Sequence, residues 1–264
     1  MTISYNRLGD RGRLGNQMFQ YATLRGIAKK HGYDFMIPPS DFNDEWHDHQ
    51  LFEVFELEGL KNIDVQNTST RIEESCFHFD ENLFENCPDN VDIFGYFQTE
   101  KYFKNAADEV RKDFTFKKDI LGPCEKMMGD VGPNAISLHV RRGDYINQPW
   151  HPCSSIDYYR QALFRMPPIG PVIIFSDDTD WCNQQEEWKD DRFLISESGN
   201  NAVDLCLMSM CSYHIIANSS FSWWGAWLSK AVNKVVCAPE KWFGPNNAHL
   251  DTSDLFPDEW VIIK

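Results

Sequence analysis

"NAISLHVRRGDY", residues 134–145, opens on a short apolar, β-rich run and breaks at once into two arginines, a glycine and an aspartate. An apolar run of this length, bounded by turn residues, reads as a buried strand. Helical and β-branched segments then alternate. "DYYRQALF" (157–164) has helical character, "PVIIFSDD" (171–178) is a second strand, and "DWCNQQEEW" (180–188) is polar and helical. "RFLIS" (192–196), the amphipathic "AVDLCLMSMCS" (202–212), "YHIIANS" (213–219), "SFSWWGAWL" (220–228) and "KVVCAP" (234–239) continue the series. Strand, helix, strand, helix is the pattern of a parallel α/β sheet. In such sheets ligands lie outside the carboxyl ends of the strands. Three strands here end in polar sequence, "HVRRGD", "FSDD" and "NSSFS", and so point to one site.

The first half has fewer clear periods. "NQMFQYATLRGIAKKHG" (16–32) reads as a helix stopped by Gly32. "DFMIPP" and "VDIFGYF" read as strands and "EKYFKNAADEVRKDF" (100–114) as a helix, while residues 40–90 are rich in Asp, Asn, Glu and aromatics without a clean period. "LGPCEKMMGDVGPN" (121–134), with three Gly and two Pro, is the boundary candidate, dividing the chain into 1–128 and 129–264. No internal repeat or low-complexity linker is present.

Composition narrows the function. The 264 residues are 42% hydrophobic and 14% aromatic, as an ordered chain with a sizeable core requires. A net charge of −15 repels nucleic acids and anionic lipid surfaces. The few arginines gather at Arg7, Arg11 and Arg13 and at Arg141 and Arg142, the places where a phosphate compound would be held. No apolar run approaches a membrane span and no leader-like segment opens the chain, so a soluble, cytoplasmic protein is expected. Eight cysteines without any C-x-x-C pair lack zinc-site spacing and read as buried thiols.

Three polar turns carry chemistry. If Ser219 or Ser220 caps the helix after "YHIIAN", the backbone N–H groups of its first turn form an anion site. Along that helix Trp223, Trp224 and Trp227 share a face that reads as core, against a face of Ser222, Gly225, Ala226 and Ser229. Arg141 and Arg142 can offer a forked contact to a pyrophosphate, though a surface ion pair with Asp144 is the plain alternative. In "FSDDTD", Asp178 and Asp180 form an Asp-x-Asp pair that would suit Mn²⁺ or Mg²⁺ on a diphosphate; alternatively, Asp177 or Asp178 accepts hydrogen bonds from a nucleobase or ribose. Gly12 and Gly15 in "RGRLGNQ" permit a tight turn.

Taken in order, "GRLGNQMFQYA" (12–22), "GYFQTEKYF" (95–103), "SLHVRRGDY" (137–145), "CSSIDYYRQA" (153–162), "FSDDTDWC" (175–182) and "NSSFSWWGAWL" (218–228) resemble the α-1,2-fucosyltransferases of glycosyltransferase family 11. The likeness runs from about residue 12 to "KWF" at 241–243. It implies a GT-B-type α/β architecture, two Rossmann-like domains facing a central cleft, with residues 1–128 on the acceptor side and 129–264 binding GDP-fucose. The implied reaction moves L-fucose from GDP-β-L-fucose to O2 of a terminal galactose on an oligosaccharide acceptor, with inversion and without a cofactor or required metal.

By the same resemblance, Arg141 grips the β-phosphate and stabilises departing GDP, with Arg142 as helper and His139 and Asp144 orienting the pair. Asn16 reaches the diphosphate or fucose from the N-terminal domain, within a motif that includes Arg13, Gly15 and Gln17. Ser176, Asp177 and Asp178 would meet the guanine or ribose, Asn218, Ser219, Ser220 and Ser222 the phosphates, and Phe221 the base. The segment before the first motif, "RLGDR", is charged where related chains carry a short apolar strand. With no membrane anchor, the chain resembles the soluble microbial or viral form.

No general base is identified. Asp144 is committed to the arginines, and the carboxylates of residues 41–58 fall where no period places them. Two other classes remain: a metal-dependent transferase using Asp178 and Asp180 with another nucleotide-sugar, and a lectin-like protein stacking glycans on its nine Trp and nine Tyr.

Overall fold

Buried apolar runs make the central strands of the larger sheet, Ile136–Val140 and Val172–Ser176. The computed structural model describes residues 1–39, 50–57, 70–132, 134–168 and 170–264. Along the chain lie β1 (Thr2–Ser4), α1 (Leu14–His31), β2 (Asp34–Met36), α2 (Gln50–Val54), β3 (Thr70–Glu73), α3 (Glu81–Asn86), β4 (Val91–Phe94), α4 (Ala107–Asp113) and α5 (Lys118–Val131). There follow β5 (Ile136–Val140), α6 (Ile156–Phe164), β6 (Val172–Ser176), α7 (Thr179–Asn183), β7 (Phe193–Ile195), α8 (Asn201–Met210), β8 (Tyr213–Ile215), α9 (Ser220–Leu228), β9 (Val235–Pro239) and β10 (Val261–Ile263).

These elements form two units. The first holds Met1–Lys117 with Leu250–Pro257, and the second holds Lys118–His249 with Asp258–Lys264. The boundary expected at 128/129 falls inside α5, whose helix runs through Gly122, Pro123 and Gly129. It joins the second unit because it packs on α8, where the buried Cys124 thiol lies 3.7 Å from Val203 O. Nor does the C-terminal portion stay together. Asp254 belongs to the first unit, where it accepts from Phe79 N at 2.9 Å, and its carbonyl accepts from the Thr99 hydroxyl at 2.7 Å.

In the first unit the sheet order is β2-β1-β4-β3, all parallel. The strand β1 is formed by Thr2–Ser4, ahead of the charged "RLGDR", which forms turns. Helix α1 is buried along most of its length and ends at Gly32 in the left-handed conformation, φ 69°. Lys29, Lys30 and His31 in its last turn suit the negative end of the helix dipole. The helix expected over 100–114 is divided. Two short 3₁₀ turns precede α4, with Thr99 capping the first and Asn105 Nδ2 donating to Gly26 O at 2.9 Å.

In the second unit six parallel strands run β10-β9-β8-β5-β6-β7. The chain starts at β5, steps outward through β6 and β7, then returns to β8 on the other side of β5 and steps outward again. That is the strand order of a Rossmann sheet, with its switch point between β5 and β8. Every residue of β5 is buried, as a central strand covered on both faces requires. The tryptophans of α9 are core: Trp223 and Trp224 are fully buried and Trp223 packs on Trp260 at 5.3 Å. All eight cysteines are free thiols. Among the described residues no helix is long and apolar enough to cross a membrane.

Candidate functional site

At the switch point of the second unit two chain turns meet, "RRGD" after β5 and "NSSFS" after β8. "FSDD" ends the neighbouring strand β6, in register with β5 through Val140 and Ser176. The expected convergence of three polar strand ends is what the fold produces.

The arginines are held by three carboxylates. Arg141 contacts Asp144 at 2.6 Å and Asp177 at 3.0 Å, and Arg142 contacts Asp178 at 3.0 Å. Asp177 also accepts from the Arg142 backbone N–H at 2.9 Å. Asp178 caps α7 by accepting from Trp181 N at 3.0 Å, and its own N–H donates to Ser176 Oγ at 2.9 Å. The Asp177 and Asp178 carboxylates expected on guanine or ribose therefore hold the arginine pair. Ser176 serves the same turn. Close approach needs Gly143: a Cβ there would sit 2.6 Å from Asp177 Oδ2. The guanidiniums also lie over aromatic rings, Arg142 over Trp181 at 4.1 Å and Arg141 over Tyr145 at 5.3 Å.

Helix α9 begins beside them. Ser219 stands at its N-cap in extended conformation but makes no side-chain capping bond to the first turn. Ser220 and Phe221 are half-buried. Ser222, expected at the phosphates, has its hydroxyl engaged within the protein. It is 2% exposed, lies 2.8 Å from His139 Nδ1, and donates to Ser219 O at 3.3 Å. Both contacts are satisfied when His139 Nδ1–H donates to Ser222 Oγ. His139 thus joins β5 to α9 and packs on the Phe221 ring at 5.8 Å, instead of touching the arginines directly. Burial and, secondarily, the Arg141 charge push its pKa down to about 3, so the imidazole is neutral. Asn218 is also buried. Its amide NH₂ donates to Pro152 O and Trp242 O, both at 3.0 Å, which ties the loop together.

The first unit presents its own turn. Gly12 is left-handed, φ 82°, and a Cβ there would lie 2.2 Å from Asn16 Nδ2. Only glycine gives the turn its sign and leaves room for the Asn16 side chain. The Arg13 carbonyl accepts from Asn16 N at 2.9 Å and Gln17 N at 3.1 Å, starting α1. Arg13 is exposed and Asn16 half-buried, whereas Gly15 and Gln17 are buried within the helix start and support the turn from inside. Asn16 Oδ1 accepts from Gln98 Nε2 at 2.8 Å.

Trp181, Gly143, Tyr145 and Gln98 were not singled out from the sequence, although each lies within a quoted motif. Their signal was adjacency to a charged or amide residue, which becomes a contact only when the turns are built. Among the described residues no group of three or more His, Cys, Asp or Glu is placed to hold a metal ion. Of the carboxylates in 41–58, residues 41–49 and 58 lie outside the described residues.

Comparison with known proteins gives this geometry its relatives. The chain is 35% identical over 183 residues to the O-antigen biosynthesis glycosyltransferase WbnK of Escherichia coli, covering 64% of this chain and 59% of that protein. It is 30% identical over the full length of both chains to an alpha-1,2-colitosyltransferase of Escherichia coli. Galactoside alpha-(1,2)-fucosyltransferase 2 of Oryctolagus cuniculus is 26% identical over 83% of this chain and 65% of its own. The chain thus spans about three fifths to two thirds of WbnK and the rabbit enzyme and the whole of the colitosyltransferase. In fold it matches the crystal structure of POFUT1 in complex with GDP-fucose, with a TM-score of 0.54 at 11% identity, over 86% of this chain and 93% of that one. With two parallel α/β units, an arginine pair at the Rossmann switch point and the family model for glycosyl transferase family 11 matching residues 3–264, the chain belongs to that family.

Proposed function

We propose that the protein transfers L-fucose from GDP-β-L-fucose to O2 of a terminal β-galactoside, with inversion and without a metal. The observation that carries this reading is the placement of Arg141, after β5, and of the start of α9, after β8, at one switch point. A guanidinium and a row of backbone N–H groups suit a diphosphate that gains charge as the glycosidic bond breaks.

The donor's diphosphate takes over Arg141 from Asp144 and Asp177, both partly exposed and able to release it. Asp177 stays on the Arg142 backbone N–H, Asp178 and Trp181 keep the Arg142 guanidinium aligned, and Phe221 packs against the base. Asn16 donates to the diphosphate or the fucose. The reaction proceeds through an oxocarbenium-like state, in which stabilising the leaving group does more than deprotonating the nucleophile. The acceptor is a galactose-terminated oligosaccharide.

The test is transfer from GDP-fucose to a panel of β-galactosides, lactose included, in EDTA, with the linkage read by NMR. An O2-linked product supports donor, acceptor class and metal independence together. Activity only after Mn²⁺ is restored would replace the metal-free reading with one using Asp178 and Asp180, and glycan binding without any transfer would turn it into a lectin. One relative favours a second reading: the full-length match to a colitosyltransferase makes GDP-colitose, the 3-deoxy counterpart of GDP-fucose, the alternative donor. Competition between the two donors in the same assay separates them.

A further inference from the structure

Glu74 directly follows β3, and its N–H donates to Phe94 O at the end of the neighbouring strand β4 at 2.8 Å. Its carboxylate then reaches over the turn that leaves β4. Oε2 accepts from Tyr96 N and Oε1 from Phe97 N, each at 2.8 Å. Two consecutive backbone N–H groups are thus gathered by one side chain, a carboxylate counterpart of an anion nest. The turn they define is strained. Phe97 is a non-glycine residue at φ 53°, with its ring fully buried and packed edge-on to Tyr5 at 6.4 Å and Tyr102 at 5.4 Å. A left-handed phenylalanine persists only where its surroundings over-determine it.

The left-handed step returns the chain toward α1. Gln98, 8% exposed, donates from Nε2 to Asn16 Oδ1 at 2.8 Å. Gln20 adds a second tie, donating from Nε2 to Arg11 O at 3.1 Å and Gly95 O at 3.3 Å. The Tyr5 hydroxyl holds Gly95 from the opposite side, donating to its carbonyl at 2.5 Å and accepting from its N–H at 3.1 Å. The Asn16 amide has one acceptor end and one donor end. With the acceptor engaged by Gln98, the NH₂ is set to the other side, over Gly12.

We propose that Glu74 and Gln98 are positioning residues for Asn16: Glu74 holds the Gly95–Gln98 turn, and Gln98 fixes the Asn16 amide so that it presents a donor to the oxygens of the sugar nucleotide. This rests on the reading of Asn16 as a donor-contacting residue. The acidity of Glu74 fits the role. Burial pushes its pKa up to about 7 against the lowering by the two N–H groups. Nearby titratable and charged groups include the Tyr5 and Tyr102 phenols, both raised by burial, Cys76 and Asp80 beside Tyr102, Asp92 on β4 paired with Arg71 on β3 at 3.1 Å, and Arg7 and Arg11 over the Phe94 ring. Protonation would turn an O–H toward one of the two N–H donors and slacken the turn, so the positioning is strongest above about pH 7.

The experiment compares wild type, N16A, Q98L, E74Q and the double variant N16A/Q98L in steady-state transfer, from about pH 6 to about pH 8.5, with thermal melting as the folding control. Q98L is expected to lower kcat by about tenfold, the equivalent of one well-placed hydrogen bond, with no further loss on the N16A background. Wild type should lose kcat as the pH falls through about 7, and E74Q should have lowered kcat without that limb. If N16A is disabled while Q98L and E74Q stay near wild type, the positioning proposal fails and the reading of Asn16 stands. If N16A itself is unaffected, the reading of Asn16 fails and the proposal with it. Should Q98L not fold, the wild-type profile decides: a kcat flat across neutral pH overturns the part played by Glu74.

Discussion

In the second unit two guanidiniums are matched by three carboxylates on adjoining turns, and the buried histidines, His139 and His214, are pushed down to about 3 and stay neutral. In the first unit a carboxylate is held by two backbone N–H groups, with burial raising its pKa to about 7. The difference teaches what each motif is built to do. Partly exposed ion pairs can be exchanged for a phosphate at modest cost, since such pairs contribute little in water. A half-buried carboxylate held by backbone N–H groups has no such exchange to make, and its value lies in the backbone shape it enforces. Charge is stored on one side and geometry on the other.

The largest effect should come from the charged side. Arg141→Ala is expected to lower turnover by about a hundredfold or more, as loss of an oxyanion donor does. Arg141→Lys, keeping charge but not the fork, should fall between, and turnover near wild type in Arg141→Ala would remove the residue from its role. Ser222→Ala tests whether His139 ties α9 to β5. It leaves a buried ring N–H without its acceptor, so stability should drop by about 1–3 kcal/mol in denaturant titration. An unchanged midpoint would mean that the contact is incidental. Trp181→Ala should weaken GDP binding by about threefold, as expected for a partly exposed cation–π contact, with calorimetry as the readout. A change in kcat alone would break the view that Trp181 aligns Arg142 for the ground-state complex.

The smallest effect sharpens the contrast directly. Glu74 has a folded pKa above its ordinary value of 4.5, so between about 4.5 and 7 the folded state binds the extra proton and stability falls as pH rises. His139 and His214 have folded pKa values below their ordinary 6.5, so between about 3 and 6.5 the unfolded state binds the extra protons and stability rises with pH. The two slopes oppose each other. Glu74→Gln should remove the falling contribution, and melting temperature relative to wild type should therefore increase from about pH 5 to about pH 8. A difference that stays constant with pH would show that the Glu74 carboxyl is not titrating in that range.

The alternation from "NAISLHV" to "KVVCAP" was enough to read the parallel sheet of the second unit, because buried strands and their helices carry period and β-branching locally. The Trp face of α9, the Gly32 stop of α1 and the three polar strand ends were legible for the same reason. The split of α5 from the first unit was not, since Gly122, Pro123 and Gly129 look like a linker until Cys124 is packed beside Val203. The return of Leu250–Pro257 to the first unit was equally hidden, because it depends on contacts made by Asp254 with residues far away in sequence.

Residue types and order by themselves determined the family resemblance, the arginine pair and Asn16 as site candidates. Only tertiary structure decided which polar residues are engaged inside the frame. Ser222 and Asn218 look as exposed as Ser220 in a string of letters, yet burial assigns them to His139 and to the Pro152 and Trp242 carbonyls. Asp177 and Asp178 became partners of the arginines, and Glu74 and Gln98 became partners of the Gly95–Gln98 turn and of Asn16, once parallel pairing brought the carboxyl ends of neighbouring strands together. A hydrogen bond between distant residues has no local sequence signature, because its geometry is created by the packing of the elements that carry its two ends.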